Sequence, residues 1–103
     1  MKKFDKLVRD KIPEIIETNG DLPHFRIIKD DEEYLQALLQ KDVEEGIELA
    51  NDPNLEELAD KLEVIYAITK LRGYTLEQLE TARAEKAAKR GGFDKRIFLE
   101  YTE

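Results

Sequence analysis

From Asp30 to Arg90 the chain reads as three amphipathic helices with two short breaks between them, and that punctuation favours a helical architecture over any other. Asp30-Asp31-Glu32-Glu33 offers a capping acid and places negative charge at the positive end of a helix dipole. Leu35, Leu38, Leu39, Val43, Ile47 and Ala50 then keep helical spacing to about Asn51, where Asn51-Asp52-Pro53-Asn54 breaks the pattern. A second helix is predicted from Leu55 to Arg72, ended by Gly73. A third follows Thr75, an expected N-cap, through Leu76, Leu79, Ala82 and Ala87 to Arg90, where Gly91-Gly92 stops it. Upstream, Asp10 is expected to cap a short helix with Pro13 in its first turn, closed by Asn19-Gly20. His24–Lys29 and Arg96–Tyr101 are short and β-branched or aromatic enough to be strands. The expectation is therefore an all-α bundle with one small β-hairpin pairing residues 25–28 with 97–101.

Size and charge narrow the function classes. At 103 residues, a single domain spanning 1–103 is expected. The net charge of −7 argues against a broad basic surface for nucleic-acid polymers. Without cysteine there is no disulfide, thiolate site or cysteine nucleophile, and the one histidine, His24, rules out a histidine-rich metal site. No apolar run approaches the roughly 20 residues of a membrane span, and Met1–Lys6 is basic without the apolar core of a signal peptide. A soluble cytoplasmic protein with no membrane partner is the plain reading.

The chemistry sits on either side of the first break. Residues three apart on a helix are neighbours, so Glu45 and Glu48 form one carboxylate pair and Glu57 and Asp60 a second. Acidic helix faces are common, and on composition alone these groups read as solvated. On the first long helix, Glu44 and Glu48 fall nearly opposite a Leu35/Leu39/Val43/Ala50 stripe, with Glu45 at its flank. The second helix argues otherwise. It is expected to bury Leu55, Leu58, Ala59 and Leu62, leaving Glu57 and Asp60 on a side that turns apolar at Val64, Ala67, Ile68 and Leu71. Carboxylates at the mouth of such an interface repel one another unless protons or a cation neutralise them. Mg²⁺, a hard oxygen-seeking ion, suits four such donors. The all-round apolar stretch Val64–Ile68 needs cover on more than one side, which points to a homodimer or homotetramer. Gly46, mid-helix among acids, suggests close approach of another helix or a ligand.

Lys41-x-x-Glu44-Glu45-x-x-Glu48 followed by Glu57-x-x-Asp60 resembles the all-α nucleoside triphosphate pyrophosphohydrolases of the MazG and phosphoribosyl-ATP pyrophosphohydrolase type. The opening Lys6-Leu7-Val8-Arg9-Asp10-Lys11-Ile12-Pro13 and the late Lys89-Arg90-Gly91-Gly92-Phe93 look like one branch of that family. The resemblance implies a MazG-like bundle completed by oligomerisation. It also implies Mg²⁺-dependent cleavage between the α- and β-phosphates of a nucleotide, giving a monophosphate and pyrophosphate. Carried across, Glu45, Glu48, Glu57 and Asp60 would be metal ligands, Glu44 would be a supporting carboxylate or a further ligand that helps orient water, and Glu44 and Glu45 are the catalytic candidates. Arg9, Lys11, Lys86, Lys89, Arg90 and Arg96 are the candidates for holding phosphates, although Lys86 and Arg90 also fit as compensation of a helix dipole. House-cleaning of non-standard nucleotides is the implied role. Phosphoribosyl-ATP hydrolysis, or a non-catalytic helical nucleotide-binding or interaction module, is the alternative.

Overall fold

The computed structural model describes residues 2–103, Met1 lying outside them, and it is all-α. The helices are α1 (Ile12–Thr18), α2 (Asp31–Asn51), α3 (Leu55–Leu71) and α4 (Leu76–Arg90). Each of the three long helices begins on a side chain that satisfies an otherwise unpaired backbone N–H. Asp30 accepts from Glu33 N at 3.1 Å, Asn54 from Glu57 N at 2.9 Å, and Thr75 from Gln78 N at 3.0 Å. The Gln78 side chain returns a bond from Thr75 N, completing a capping box. α1 departs from expectation. Lys11, not Asp10, is its N-cap and makes no side-chain cap bond, because the chain enters through a turn in which Ile12 N donates to Arg9 O at 3.0 Å.

Helix ends follow the glycines. Gly20 (φ +93°) and Gly73 (φ +86°) take the left-handed conformation that side chains disfavour. At α3 the N–H groups of Gly73 and Tyr74 return to the carbonyls of Lys70 and Thr69, and Gly20 with Asp21 does the same for α1. Asp52-Pro53-Asn54 then reverses the chain so that α2 and α3 form an antiparallel hairpin, while α4 packs on α3 alone.

The expected β-hairpin does not form: no strand occurs among the described residues. Phe25, Ile27, Ile97, Phe98 and Tyr101 all stand exposed. An isolated two-stranded ribbon is marginal without a third strand or a helix beneath it, and neither segment finds one. Residues near 25–28 are tethered instead by the Arg26 guanidinium, which grips the Glu33 carboxylate in the first turn of α2.

The hairpin also turns a different face inward from the one its leucines suggest. Leu38 (3% exposed) and Val64 (8%) are its buried apolar residues, and Glu45 lies on the same inner line as Leu38. On α3, Glu57, Asp60, Lys61 and Val64 are buried or half-buried, whereas Leu55, Leu58, Ala59 and Leu62, expected inside, are exposed. Leu39, Val43 and Ala50 of the expected α2 stripe likewise point out, joined by Ile47. At about 100° per residue, each outward stripe lies well away from the inner line of its own helix, leaving Leu39, Val43 and Ile47 of α2 and Leu55, Leu58 and Leu62 of α3 uncovered. One chain therefore buries little. Its radius of gyration is 17.9 Å, against about 13 Å for a compact domain of this length. No helix of the described residues is long and apolar enough to cross a membrane.

Candidate metal centre

The turn after α2 sets the site. Because Asn54 caps α3 through Glu57 N, Glu57 falls in the first turn of that helix, where the dipole favours an anion. Asp60 follows three residues on, along the same face. Across the hairpin, α2 presents Glu45. One carboxylate oxygen from each of Glu45, Glu57 and Asp60 lies within 4.8 Å of the others. Opposed ligand oxygens around Mg²⁺ stand about 4 Å apart, so small side-chain rotations would close the set on one ion.

Two of these groups are in electrostatic difficulty. Glu45 is only 6% exposed, and its Oε2, like Oε2 of Glu57, is buried without a hydrogen-bond donor. Burial first, and then the neighbouring Glu48 carboxylate, pushes the Glu45 carboxyl above the ordinary glutamate range. Lys41 Nζ, 3.5 Å from Glu45 Oε1, pulls the other way without prevailing.

Cations from outside α3 surround the group. Arg9 Nη2 donates to Asp60 Oδ1 at 2.7 Å, and Lys6 Nζ lies 3.3 Å from Glu44 Oε1. Lys41 Nζ lies 3.7 Å from Glu44 Oε2. Four carboxylates (Glu44, Glu45, Glu57 and Asp60) stand against three cations (Lys6, Arg9 and Lys41), and the exposed Glu48 adds negative charge beside Glu45, so the group carries surplus negative charge. Oxygen donors only, partly buried between α2 and α3 with surplus negative charge, fit a hard ion such as Mg²⁺ or Mn²⁺.

The residues singled out from the sequence divide accordingly. Glu45, Glu57 and Asp60 converge, whereas Glu48 is exposed and outside that trio although close enough to perturb Glu45. Glu44 is half-buried and neutralised by two lysines. Arg9 reaches the site. Lys11 is exposed at the start of α1, and Lys86, Lys89 and Arg90 are exposed on α4, which does not pack on α2. Arg96 lies in the exposed tail. Within one chain, these five are not brought to the acidic group.

Sequence reasoning gave no site role to Lys6, although it heads the opening motif, or to Lys61. Lys61 Nζ donates to Asp42 Oδ1 at 2.8 Å and to Asp42 O at 3.2 Å, passing over Gly46. A Cβ at Gly46 would sit 3.4 Å from that nitrogen, so the close neighbour expected at Gly46 is this lysine. Lys41 stands in the quoted motif, and its pairing with Glu44 and Glu45 follows from the i+3 and i+4 spacing. Lys6 and Lys61 carry no local signal.

No family model, no curated protein and no solved structure matches the chain.

Proposed function

We propose that this chain is a divalent-cation-dependent nucleoside triphosphate pyrophosphohydrolase acting in the cytoplasm, cleaving between the α- and β-phosphates to release a monophosphate and pyrophosphate. The observation that carries this reading is the convergence of Glu45, Glu57 and Asp60, with a buried, donorless oxygen on each of the two glutamates and surplus negative charge around them. Buried carboxylates without partners cost stability and persist where something else repays that cost. Glu45, Glu57 and Asp60 would hold the ion, which would supply neutralisation of the phosphates and activation of water. Glu44, held between Lys6 and Lys41 and adjacent in sequence to Glu45, would be the carboxylate that orients water. The motif resemblance sets the reaction class, and non-standard nucleotides are the substrates it favours.

We further assign the outward leucine face of α2 and α3 to a homodimer or a higher homo-oligomer. Burying Leu39, Val43, Ile47, Leu55, Leu58 and Leu62 would contribute up to about 1.5–3 kcal/mol each, which the single chain forgoes. Packed in this way, two hairpins make a four-helix arrangement.

Incubating the protein with Mg²⁺ and a panel of canonical and modified nucleotides, then assaying pyrophosphate, tests the activity. Release of pyrophosphate that disappears in Asp60→Asn is expected. No release from any nucleotide would refute the enzyme. Nucleotide binding without turnover would favour the non-catalytic module, which the exposed apolar face also suits.

A further inference from the structure

The N-terminal segment ahead of α1 has no helix of its own to pack, yet two of its cations are spent on the acidic cleft. Arg9 reaches Asp60 across 51 positions of sequence, and Lys6 reaches Glu44 across 38. By helical phase, both partners lie on the side of the hairpin away from the exposed leucines, so the segment runs along the side that bears the acidic group. Neither pair is buried. The Arg9 side chain is 57% exposed and that of Asp60 38%. Half-exposed ion pairs are weak and readily exchanged.

Asp60 is thus asked to serve two cations. It belongs to the trio whose other members include the nine-tenths-buried Glu45 carboxylate with its donorless oxygen, and it is also the only acid Arg9 touches. A dication drawn in by Glu45 and Glu57 would repel a guanidinium held on the third ligand. Lys41 cannot make the same move, because it is a helical neighbour of Glu44 and Glu45 and largely buried. Arg9 sits on an irregular segment and can.

We propose that residues Lys6–Lys11 form a displaceable counter-ion strap: a divalent cation binding at Glu45, Glu57 and Asp60 frees Arg9 from Asp60, and the freed guanidinium then grips a phosphate oxygen of the incoming anion. This rests on the metal-binding reading above and adds a linkage to it. Arg9 opposes the bare ion and favours the ion with phosphate. A planar five-donor fork suits both partners in turn, carboxylate first and phosphate second.

The test measures two affinities on the full chain, for Arg9→Met and Arg9→Lys beside the unaltered protein, after circular dichroism has shown equal helix content. Mn²⁺ alone is titrated and the free ion followed by its electron paramagnetic resonance signal. Inorganic pyrophosphate is then titrated by calorimetry at saturating Mg²⁺. Arg9→Met should bind bare Mn²⁺ up to about fivefold more tightly, the worth of an exposed ion pair, and pyrophosphate about tenfold more weakly. Arg9→Lys should fall between. A purely structural role for the Arg9–Asp60 pair would weaken both. If the unaltered protein binds Mn²⁺ but Arg9→Met binds it equally or less well, the strap is wrong and the metal centre survives. If the unaltered protein binds no Mn²⁺, the metal centre fails and takes the strap with it.

Discussion

Replacing Glu45 with glutamine separates the cost of this carboxylate from its use. Glu45 is 6% exposed, its Oε2 lacks a donor, and Glu48 adds a second negative charge beside it. Leaving a buried group unsatisfied costs about 1–3 kcal/mol, more when it is charged. Lys41 at 3.5 Å offsets part of this. Glutamine keeps the shape, removes the charge and offers N–H donors to the facing carboxylates, so Glu45→Gln should stabilise the metal-free chain by about 1 kcal/mol. For a domain of this length that is roughly 4–8 °C in melting temperature. With Mg²⁺ at about a hundred times its dissociation constant the order should invert. The unaltered protein gains about 2.7 kcal/mol from mass action, and the variant, short of one charged ligand, gains far less. Thermal melts at equal chain concentration, with and without Mg²⁺, give all four values. Glu85→Gln, at an exposed position on α4, is the control and should shift little. A variant less stable than the parent without metal, or equally stabilised by Mg²⁺, would refute the argument.

Two further outcomes follow from the same geometry. The folded-state pKa of Glu45 is raised, so the stability its protonated form provides is present at acid pH and lost as pH rises through that raised value; Glu33 and Glu80, lowered by hydrogen bonds from Arg26 and Arg83, act only below the ordinary glutamate range. Metal-free melting curves between about pH 5 and 8 should therefore show the advantage of Glu45→Gln growing with pH, and an advantage that shrinks would count against a burial-raised carboxyl. On the opposite side of the hairpin, Val43→Glu combined with Leu58→Glu places two charges on the exposed apolar face. Light scattering after gel filtration should find the parent oligomeric and the double variant reduced to single chains; a parent that stays monomeric when concentrated would remove the assigned role of that face.

Much of the helical layout was legible from residues a few positions apart. The caps at Asp30, Asn54 and Thr75 and the stops at Gly20, Gly73 and Gly91 work through bonds spanning three to five residues, which a linear reading can see. Asp10 failed as a cap because its neighbour Lys11 already occupies the turn. The two strands failed for a non-local reason, since β-branched residues make a strand only where a partner edge exists. Spacing also marked Glu45, Glu57 and Asp60 as groups able to meet, but could not separate them from Glu48, which the helix carries out to solvent.

The amino-acid order by itself determined which stretches are helical, where they stop, and that acids recur at three-residue steps on both sides of Pro53. Only the packed hairpin decided which side of each helix meets the other. α2 carries Leu38 with Glu45 on one line and Leu39, Val43 and Ile47 on another, and α3 offers a similar choice, so hydrophobicity alone favours the wrong pair. Only the tertiary structure brought Arg9 to Asp60 and Lys6 to Glu44. The physical reason is range: a cap acts within one helical turn, whereas the meeting of a basic segment with an acidic cleft dozens of residues away depends on the register and direction in which two helices dock.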